Sequence, residues 1–175
     1  YAINLLKVGE KHKKTIEFRM PNGEIDFQEH ILNIQLFAKL MEKVGAVVEY
    51  SNNSVFIKKD KIKPINVNME LMPDTAMSLA VLLSFANGKS RINGLSTLKN
   101  KETNRLLAMK NELAKLSIET EIGDDYIIVY GGNNHKVIGE IETYNDHRIA
   151  ISSAIAVAVL DGVVIKNPDV VSKSF

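Results

Sequence analysis

The fold is decided by residues 65–95, INVNMELMPDTAMSLAVLLSFANGKSRINGL. A short predicted strand, 65–69, is followed by an almost wholly apolar predicted helix, 75–86, and a second strand ends the stretch. Pro73 and Asp74 open the helix, because both residue types are common at helix starts. A helix that is hydrophobic all round is a buried one. This stretch therefore predicts a β-α-β element around a central helix.

The same order of elements continues beyond this stretch and then restarts. The continuation is a predicted helix over 101–116 and a hairpin of two strands, 117–122 and 126–130. The segment 31–58 has the pattern of the last α-β-β of an earlier copy. We therefore predict an α/β fold of repeated β-α-β-α-β-β units, each of roughly 65 residues, around buried helices. The restart contains a strand over 141–144, a helix over 146–160, a strand over 163–166 and a helix from Ser172.

Composition is that of a globular protein. The 175 residues are 45% hydrophobic and 25% charged, and the formal net charge of +1 gives no reason to expect nucleic acid or a membrane as partner. Cysteine is absent, which fits a reducing compartment, and a cytoplasmic location is expected. The longest apolar stretch, 149–160, is too short to cross a bilayer. Because the chain starts at Tyr1 and stops at Phe175 without an obvious helix end, we expect a fragment.

Basic residues occupy three predicted helix starts, where the helix dipole favours acidic ones. Each basic group there costs about 0.3–1 kcal/mol, unless free backbone N–H groups and the cations hold an anion together. Related positions in successive repeats would converge on one ligand that carries phosphate and carboxylate groups. The basic residues are Lys101 and Arg105, His147 and Arg148, and Lys173.

Each of these residues also has an ordinary explanation. An arginine in a first helical turn is often only solvated, and Asp74 and Asp146 are typical helix-start residues. Glu102 would suit the first turn of a helix without any chemical role, and His147 would suit the surface. The remaining histidines lack ligand spacing, so we predict no metal site. They are His12, His30 and His135.

Four motifs favour the anion site over these ordinary roles. They are MPDTAM at 72–77, KETNR at 101–105, TYNDHR at 143–148 and KSF at 173–175. In this order and spacing they resemble the motifs of the 5-enolpyruvylshikimate-3-phosphate synthase family. The resemblance covers about residues 33–175. It implies an enolpyruvyl transferase-like inverse α/β barrel of two similar domains with the active site between them. Residues 31–175 would form most of the C-terminal domain, and residues 1–30 have no clear assignment.

The resemblance implies transfer of the enolpyruvyl group of phosphoenolpyruvate to the 5-hydroxyl of shikimate 3-phosphate, with release of phosphate. No cofactor or metal is implied, and the missing N-terminal domain would be the partner, so the chain alone is expected to be inactive. The reaction needs a base at the hydroxyl and proton transfer at the methylene carbon. The implied catalytic residues are Asp74, Glu102 and Lys173. The implied binding residues are Arg105, Arg148 and Lys173 for phosphoenolpyruvate, and Asp74 and Lys101 for shikimate 3-phosphate, with His147 in support.

Two alternatives remain open. One is an enzyme similar to UDP-N-acetylglucosamine enolpyruvyltransferase, whose corresponding segments lack the strings at 101–105 and 143–148. The other is a non-catalytic ligand-binding or scaffold domain on the same repeat, and the related RNA 3′-phosphate cyclase architecture lacks support because no catalytic histidine context is present. The intact set of charged motif residues argues against a degenerate binding domain.

Overall fold

A computed structural model describes residues 15–17, 27–51, 54–58 and 60–173. The chain divides into two compact units, Tyr1–Lys63 and Pro64–Phe175. Within the described residues, no helix combines the length and the apolarity needed to span a bilayer.

In the described residues of the first unit, one helix lies beside a three-stranded antiparallel sheet. Its elements are β1 (Thr15–Glu17), α1 (Phe27–Lys43), β2 (Val47–Ser51) and β3 (Ser54–Lys58). The strands lie in the order β1-β3-β2, with Val48 opposite Ile57. The helix ends at Gly45, whose φ of +98° suits glycine. The α-β-β pattern predicted for 31–58 is therefore confirmed.

The second unit contains one complete copy of the predicted repeat. The copy comprises β4 (Asn66–Asn68), a 3₁₀ turn (Pro73–Thr75), α2 (Ala76–Leu83), β5 (Gly88–Asn93), a 3₁₀ turn (Ser96–Asn100), α3 (Arg105–Ala114), β6 (Glu119–Ile122) and β7 (Tyr126–Gly131). The strands form one sheet in the order β4-β5-β7-β6, in which only the β4–β5 pair is parallel. The β-α-β-α-β-β order is confirmed.

The core of this unit lies between the sheet and its helices. Six of the eight residues of α2 are buried, as the sequence predicts for a central helix. A fourth helix, α4 (His147–Val157), packs against α2 and α3. The apolar run 149–160 would by the same reasoning form a helix buried on all sides, but five of the eleven residues of α4 are buried and Val157 is exposed, so α4 is buried only in part.

Three predicted elements differ from the structure. Helix α3 begins at Arg105 rather than Lys101, because the side chain of Asn104 caps it by accepting a hydrogen bond from the N–H of Leu107. The predicted strands 141–144 and 163–166 are reduced to a single parallel bridge between Ile141 and Ile165. Of the helix predicted from Ser172, the structure describes only Ser172 and Lys173, which are the last two residues of a 3₁₀ turn, Pro168–Lys173.

Replacement of Gly131 by alanine should lower the free energy of unfolding by about 1–3 kcal/mol, the usual cost of overpacking. An added Cβ would overlap the carbonyl oxygens of Leu83 and Ala86 at the end of α2, and these backbone atoms have no room to move. The neighbouring Gly132 is the control, since a Cβ there meets nothing within 4 Å. Urea unfolding should separate Gly131→Ala from wild type and leave Gly132→Ala near it. Equal midpoints for the two variants would contradict this packing.

Candidate functional site

Arg105 is the buried centre of an ion cluster, which we define as Arg105 with Asp74, Glu102 and Asp146. Its side chain is 2% exposed. It donates from Nε to Oδ2 of Asp146 over 2.7 Å and from Nη2 to Oδ1 of the same carboxylate over 3.1 Å. It also donates from Nη1 to Asp74 over 2.9 Å and from Nη2 to Glu102 over 2.7 Å. Four of the five guanidinium N–H donors are thereby used.

The members of the cluster come from three separated segments. Asp74 lies in the 3₁₀ turn that leads into α2, and Arg105 is the first residue of α3. Asp146 is the N-cap of α4, where its Oδ1 accepts a hydrogen bond of 2.8 Å from the N–H of Arg148. Because α2 packs against both α3 and α4, the starts of these helices meet. Of the three basic helix starts singled out in the sequence, the structure brings together two, that of Arg105 and that of His147 and Arg148, and the side chain of the third, Lys173, lies outside the described residues.

The buried pair of Asp146 and Arg105 is held in its charged form. Burial by itself would raise the pKa of Asp146, whose side chain is fully buried, but hydrogen bonds from Arg105 and from the N–H of Arg148 keep that pKa below its ordinary value. Burial by itself would lower the pKa of Arg105, but the hydrogen bond and the charge of Asp146, with Glu102 and Asp74, raise it. Arg105 therefore stays a cation throughout the physiological range.

Three further motif residues surround the cluster at longer distances. Lys101 Nζ lies 3.9 Å from Oδ1 of Asp74, and Arg148 Nη2 lies 3.7 Å from Oδ2 of the same residue. His147 Nδ1 lies 3.9 Å from Oε1 of Glu102. The Lys101 and Arg148 side chains are 37% and 42% exposed, so both reach solvent as well as the cluster.

Arg148 carries the clearest sign of a ligand at this site. Its Nε is buried, and no hydrogen-bond acceptor for it lies among the described residues. A buried donor without an acceptor is costly. Its Nη2, on the same guanidinium, reaches only 3.7 Å from Asp74. The guanidinium is therefore suited to an anion that would supply the missing acceptor.

Two of the predicted positions differ from expectation. Lys101 lies in extended conformation after the 3₁₀ turn Ser96–Asn100, so Lys101 and Glu102 precede α3 and do not belong to its first turn. Lys173 is the last residue of the turn Pro168–Lys173, whereas the sequence predicted it at a helix start. Its side chain lies outside the described residues. The roles implied for Lys173 stay predictions.

Sequence reasoning gave Asp146 too small a role. It is the N-cap that the sequence predicts, but it is also the bidentate partner of Arg105, which lies 41 residues earlier in the chain. Asp146 is part of the TYNDHR motif, but an N-cap role alone would account for an aspartate at that position, so the sequence does not indicate the pair with Arg105. Glu102, Asp146 and His147 also offer ligand atoms within 4.8 Å of one another, but Arg105 Nη2 already bridges the two carboxylates. The Arg105 guanidinium therefore supplies a positive charge between these two carboxylates.

Comparisons with known proteins give the family of the chain. The family model of EPSP synthase (3-phosphoshikimate 1-carboxyvinyltransferase) matches residues 24–175. The chain is 39% identical over 147 residues to the chloroplastic 3-phosphoshikimate 1-carboxyvinyltransferase of Solanum lycopersicum, covering 79% of the chain and 28% of that protein. It is 37% identical over 142 residues to the enzyme of that name from Pasteurella multocida, covering 81% of the chain and 32% of that protein.

Solved structures show the class of the fold. EPSP synthase from Acinetobacter baumannii superposes with a TM-score of 0.69 at 26% identity, over 78% of this chain and 35% of that one. An enolpyruvyl transferase from Streptomyces tendae superposes with a TM-score of 0.62 at 19% identity, over 84% and 33%. The chain thus has the inverse α/β barrel fold of the enolpyruvyl transferases, as predicted. Within that class it belongs to the EPSP synthase family, and it spans about a third of the length of the relatives it matches.

Proposed function

We propose that this chain supplies one side of the active site of an enzyme that transfers the enolpyruvyl group of phosphoenolpyruvate to the 5-hydroxyl of shikimate 3-phosphate, with release of phosphate. The observation that carries the proposal is the ion cluster. Asp74, Glu102 and Arg105, which the motifs single out, lie within hydrogen-bond distance of one another or of a shared partner. Family membership makes this transfer the reaction that the cluster would serve.

The residue types suit the two stages of the reaction. In the addition, Asp74 takes the proton of the 5-hydroxyl while the hydroxyl oxygen forms a bond to C2 of phosphoenolpyruvate. An acid delivers a proton to the methylene carbon C3 in the same stage. In the elimination, a base removes a proton from the new methyl group as the C2–phosphate bond breaks. Glu102 is the first candidate for this proton transfer at C3, and two observations support it: Arg105 holds Oε2 of Glu102, and the Glu102 side chain is 44% exposed. Lys173 is the second candidate.

Arg148 and the remaining N–H of Arg105 Nη1 would bind phosphoenolpyruvate, together with Lys173. Forked guanidinium groups match its carboxylate and phosphate. Lys101 would bind shikimate 3-phosphate with Asp74, and His147, near Glu102, would support the site. Residues 31–175 would form most of a C-terminal domain, and a second domain would complete the cleft. A cytoplasmic location stays a prediction, since plant relatives are named chloroplastic.

Phosphate release by the intact enzyme tests this function. Shikimate 3-phosphate with phosphoenolpyruvate should release phosphate, whereas UDP-N-acetylglucosamine with phosphoenolpyruvate should not. Phosphate release with UDP-N-acetylglucosamine and phosphoenolpyruvate, but not with shikimate 3-phosphate and phosphoenolpyruvate, would favour the alternative transferase. Binding of shikimate 3-phosphate and phosphoenolpyruvate without any release of phosphate would favour a non-catalytic domain.

Replacement of Arg148 by lysine should weaken the binding of phosphoenolpyruvate by about 10- to 150-fold. The loss corresponds to one charge-assisted hydrogen bond, worth about 1.5–3 kcal/mol, because an ammonium group reproduces the charge but not the fork. Calorimetric titration in the presence of shikimate 3-phosphate measures the affinity. Arg91→Lys is the matched control, since Arg91 stacks on Tyr126 at the sheet, and its affinity should equal wild type. Wild-type affinity in Arg148→Lys would mean that Arg148 is only solvated.

A further inference from the structure

Glu112 is a buried carboxylate that the proposed chemistry does not use. It lies on α3 about two helical turns after Arg105, and it is 3% exposed. Its Oε1 accepts a hydrogen bond of 2.7 Å from the hydroxyl of Tyr144. Its Oε2 accepts from the N–H of Glu142 over 2.9 Å and pairs with Lys115 Nζ over 2.8 Å. A buried charge persists only with such a set of partners.

The partners of Glu112 belong to the segment that leads into the ion cluster. This segment, 138–146, runs antiparallel along α3, and alternate residues contact the helix. The N–H of Ile138 donates to the carbonyl of Lys115 over 2.7 Å, and Lys115 Nζ donates to the carbonyl of Glu140 over 2.8 Å. Glu142 and Tyr144 then contact Glu112, as given above. The last contact in the series is the bidentate pair of Asp146 with Arg105.

The segment turns sharply just before Asp146. Tyr144 and Asn145 have φ values of +53° and +56°, a left-handed conformation that asparagine tolerates but that is unfavourable for tyrosine. Two such residues in succession persist only where their surroundings hold them. The hydroxyl of Tyr144 is held by Glu112, and the N–H of Asp146 closes the turn on the carbonyl of Thr143 over 2.8 Å. The turn brings Asp146 both to the start of α4 and to Arg105.

We propose that Glu112 is a positioning residue for the ion cluster. Its carboxylate holds the left-handed turn at Tyr144 and Asn145, and thereby sets where Asp146, and with it Arg148, lie relative to Arg105. The kinetic part of this proposal rests on the proposed function, whereas its structural part does not. A residue that only stabilised the fold would change the unfolding midpoint and leave the kinetics of the folded enzyme unaltered.

Tyr144→Phe tests the proposal, because it removes one hydroxyl and keeps the aromatic ring. Tyr130→Phe is the matched control, since the Tyr130 hydroxyl also donates to a glutamate, Glu121, but on the exposed sheet. Amide hydrogen exchange of the intact enzyme is the first readout. The N–H of Arg148 donates to Asp146, so its protection reports the position of that carboxylate directly. Exchange there should become about 2- to 10-fold faster in Tyr144→Phe, the factor that one hydrogen bond provides, and stay unchanged in Tyr130→Phe.

Steady-state kinetics is the second readout. Tyr144→Phe should raise the KM for phosphoenolpyruvate several-fold more than it lowers kcat, because Arg148 shifts while Glu102 stays on its own segment. Glu112→Gln should have a larger effect, since one amide oxygen replaces two acceptors, and the double variant should be no worse than Glu112→Gln alone. Unchanged exchange at Arg148 in Tyr144→Phe would overturn the proposal, and so would faster exchange with unchanged kinetics. An inactive wild-type enzyme would overturn the proposed function, and exchange at Arg148 would then decide the role of Glu112.

Discussion

Replacement of Asp146 by asparagine should lower the free energy of unfolding of the intact enzyme by about 3 kcal/mol or more, the range for breaking a buried ion pair. Asparagine can still cap α4 through its oxygen, so the loss reports the pair with Arg105. Its amide group would face the Nε–H of Arg105, donor against donor, in a place with no solvent.

The matched control for this substitution is Asp74→Asn. Asp74 makes one hydrogen bond of 2.9 Å to the same guanidinium, but its side chain is 37% exposed. Water can therefore accept the hydrogen bond of Arg105 Nη1 when the charge of Asp74 is removed. Urea unfolding should therefore show a much smaller loss for Asp74→Asn than for Asp146→Asn. Equal losses would contradict the dominance of the buried bidentate pair.

The pH dependence of stability gives an independent check on Asp146. Its pKa in the folded protein lies below the ordinary value, so its stabilisation is complete above the pKa of about 3.9 of an unfolded aspartate. That stabilisation is lost as the pH falls from there through the lower folded-state pKa. The stability difference between wild type and Asp146→Asn should therefore be largest near neutral pH and shrink in this acidic window.

Replacement of Glu102 by glutamine should reduce kcat about 100- to 10,000-fold, the usual effect of removing a general acid–base group. The amide oxygen can still accept the hydrogen bond of 2.7 Å from Arg105 Nη2, so the shape of the site and the fold should persist. Binding of both substrates should change little, because the substitution removes proton transfer rather than a binding contact.

Rapid-quench or steady-state phosphate release measures this kcat, and calorimetry measures the binding. Glu119→Gln on β6, an exposed residue, is the matched control and should keep wild-type turnover. A wild-type kcat in Glu102→Gln would mean that Glu102 transfers no proton in the reaction and is only an exposed acid paired with Arg105.

The order of elements was predictable because it depends on local patterns. The apolar run of α2, with Pro73 and Asp74 before it, predicts a buried helix between two strands, and that arrangement is observed. The start of α3 was missed because the apolar spacing of Leu106, Met109 and Leu113 fixes a helix face but not its first residue. The helix starts after the N-cap Asn104. The charged residues Lys101 and Glu102 before it also suit a helix, so the sequence prediction began the helix too early.

The sequence predicted most of the residues of the candidate site but not the hydrogen bonds and ion pairs between them. The motifs single out Arg105 and Asp74, yet local sequence gives no reason to pair Arg105 with a carboxylate 41 residues away. The predicted strand at 141–144 fails for a similar reason. Alternation favours extended backbone there, whereas the contact of Tyr144 with Glu112, 32 residues earlier, accompanies a left-handed turn. Long-range contacts of this kind override local preference.

The site itself is tested most directly by a crystal structure of the intact enzyme with phosphoenolpyruvate, or an unreactive analogue, and shikimate 3-phosphate. The account predicts an anionic oxygen within about 3.2 Å of the Arg148 guanidinium, including the buried Nε that lacks an acceptor among the described residues. Arg105 should remain paired with Asp146, and Lys101 should contact shikimate 3-phosphate. Both ligands bound with no contact to Lys101, Arg105 or Arg148 would contradict the account.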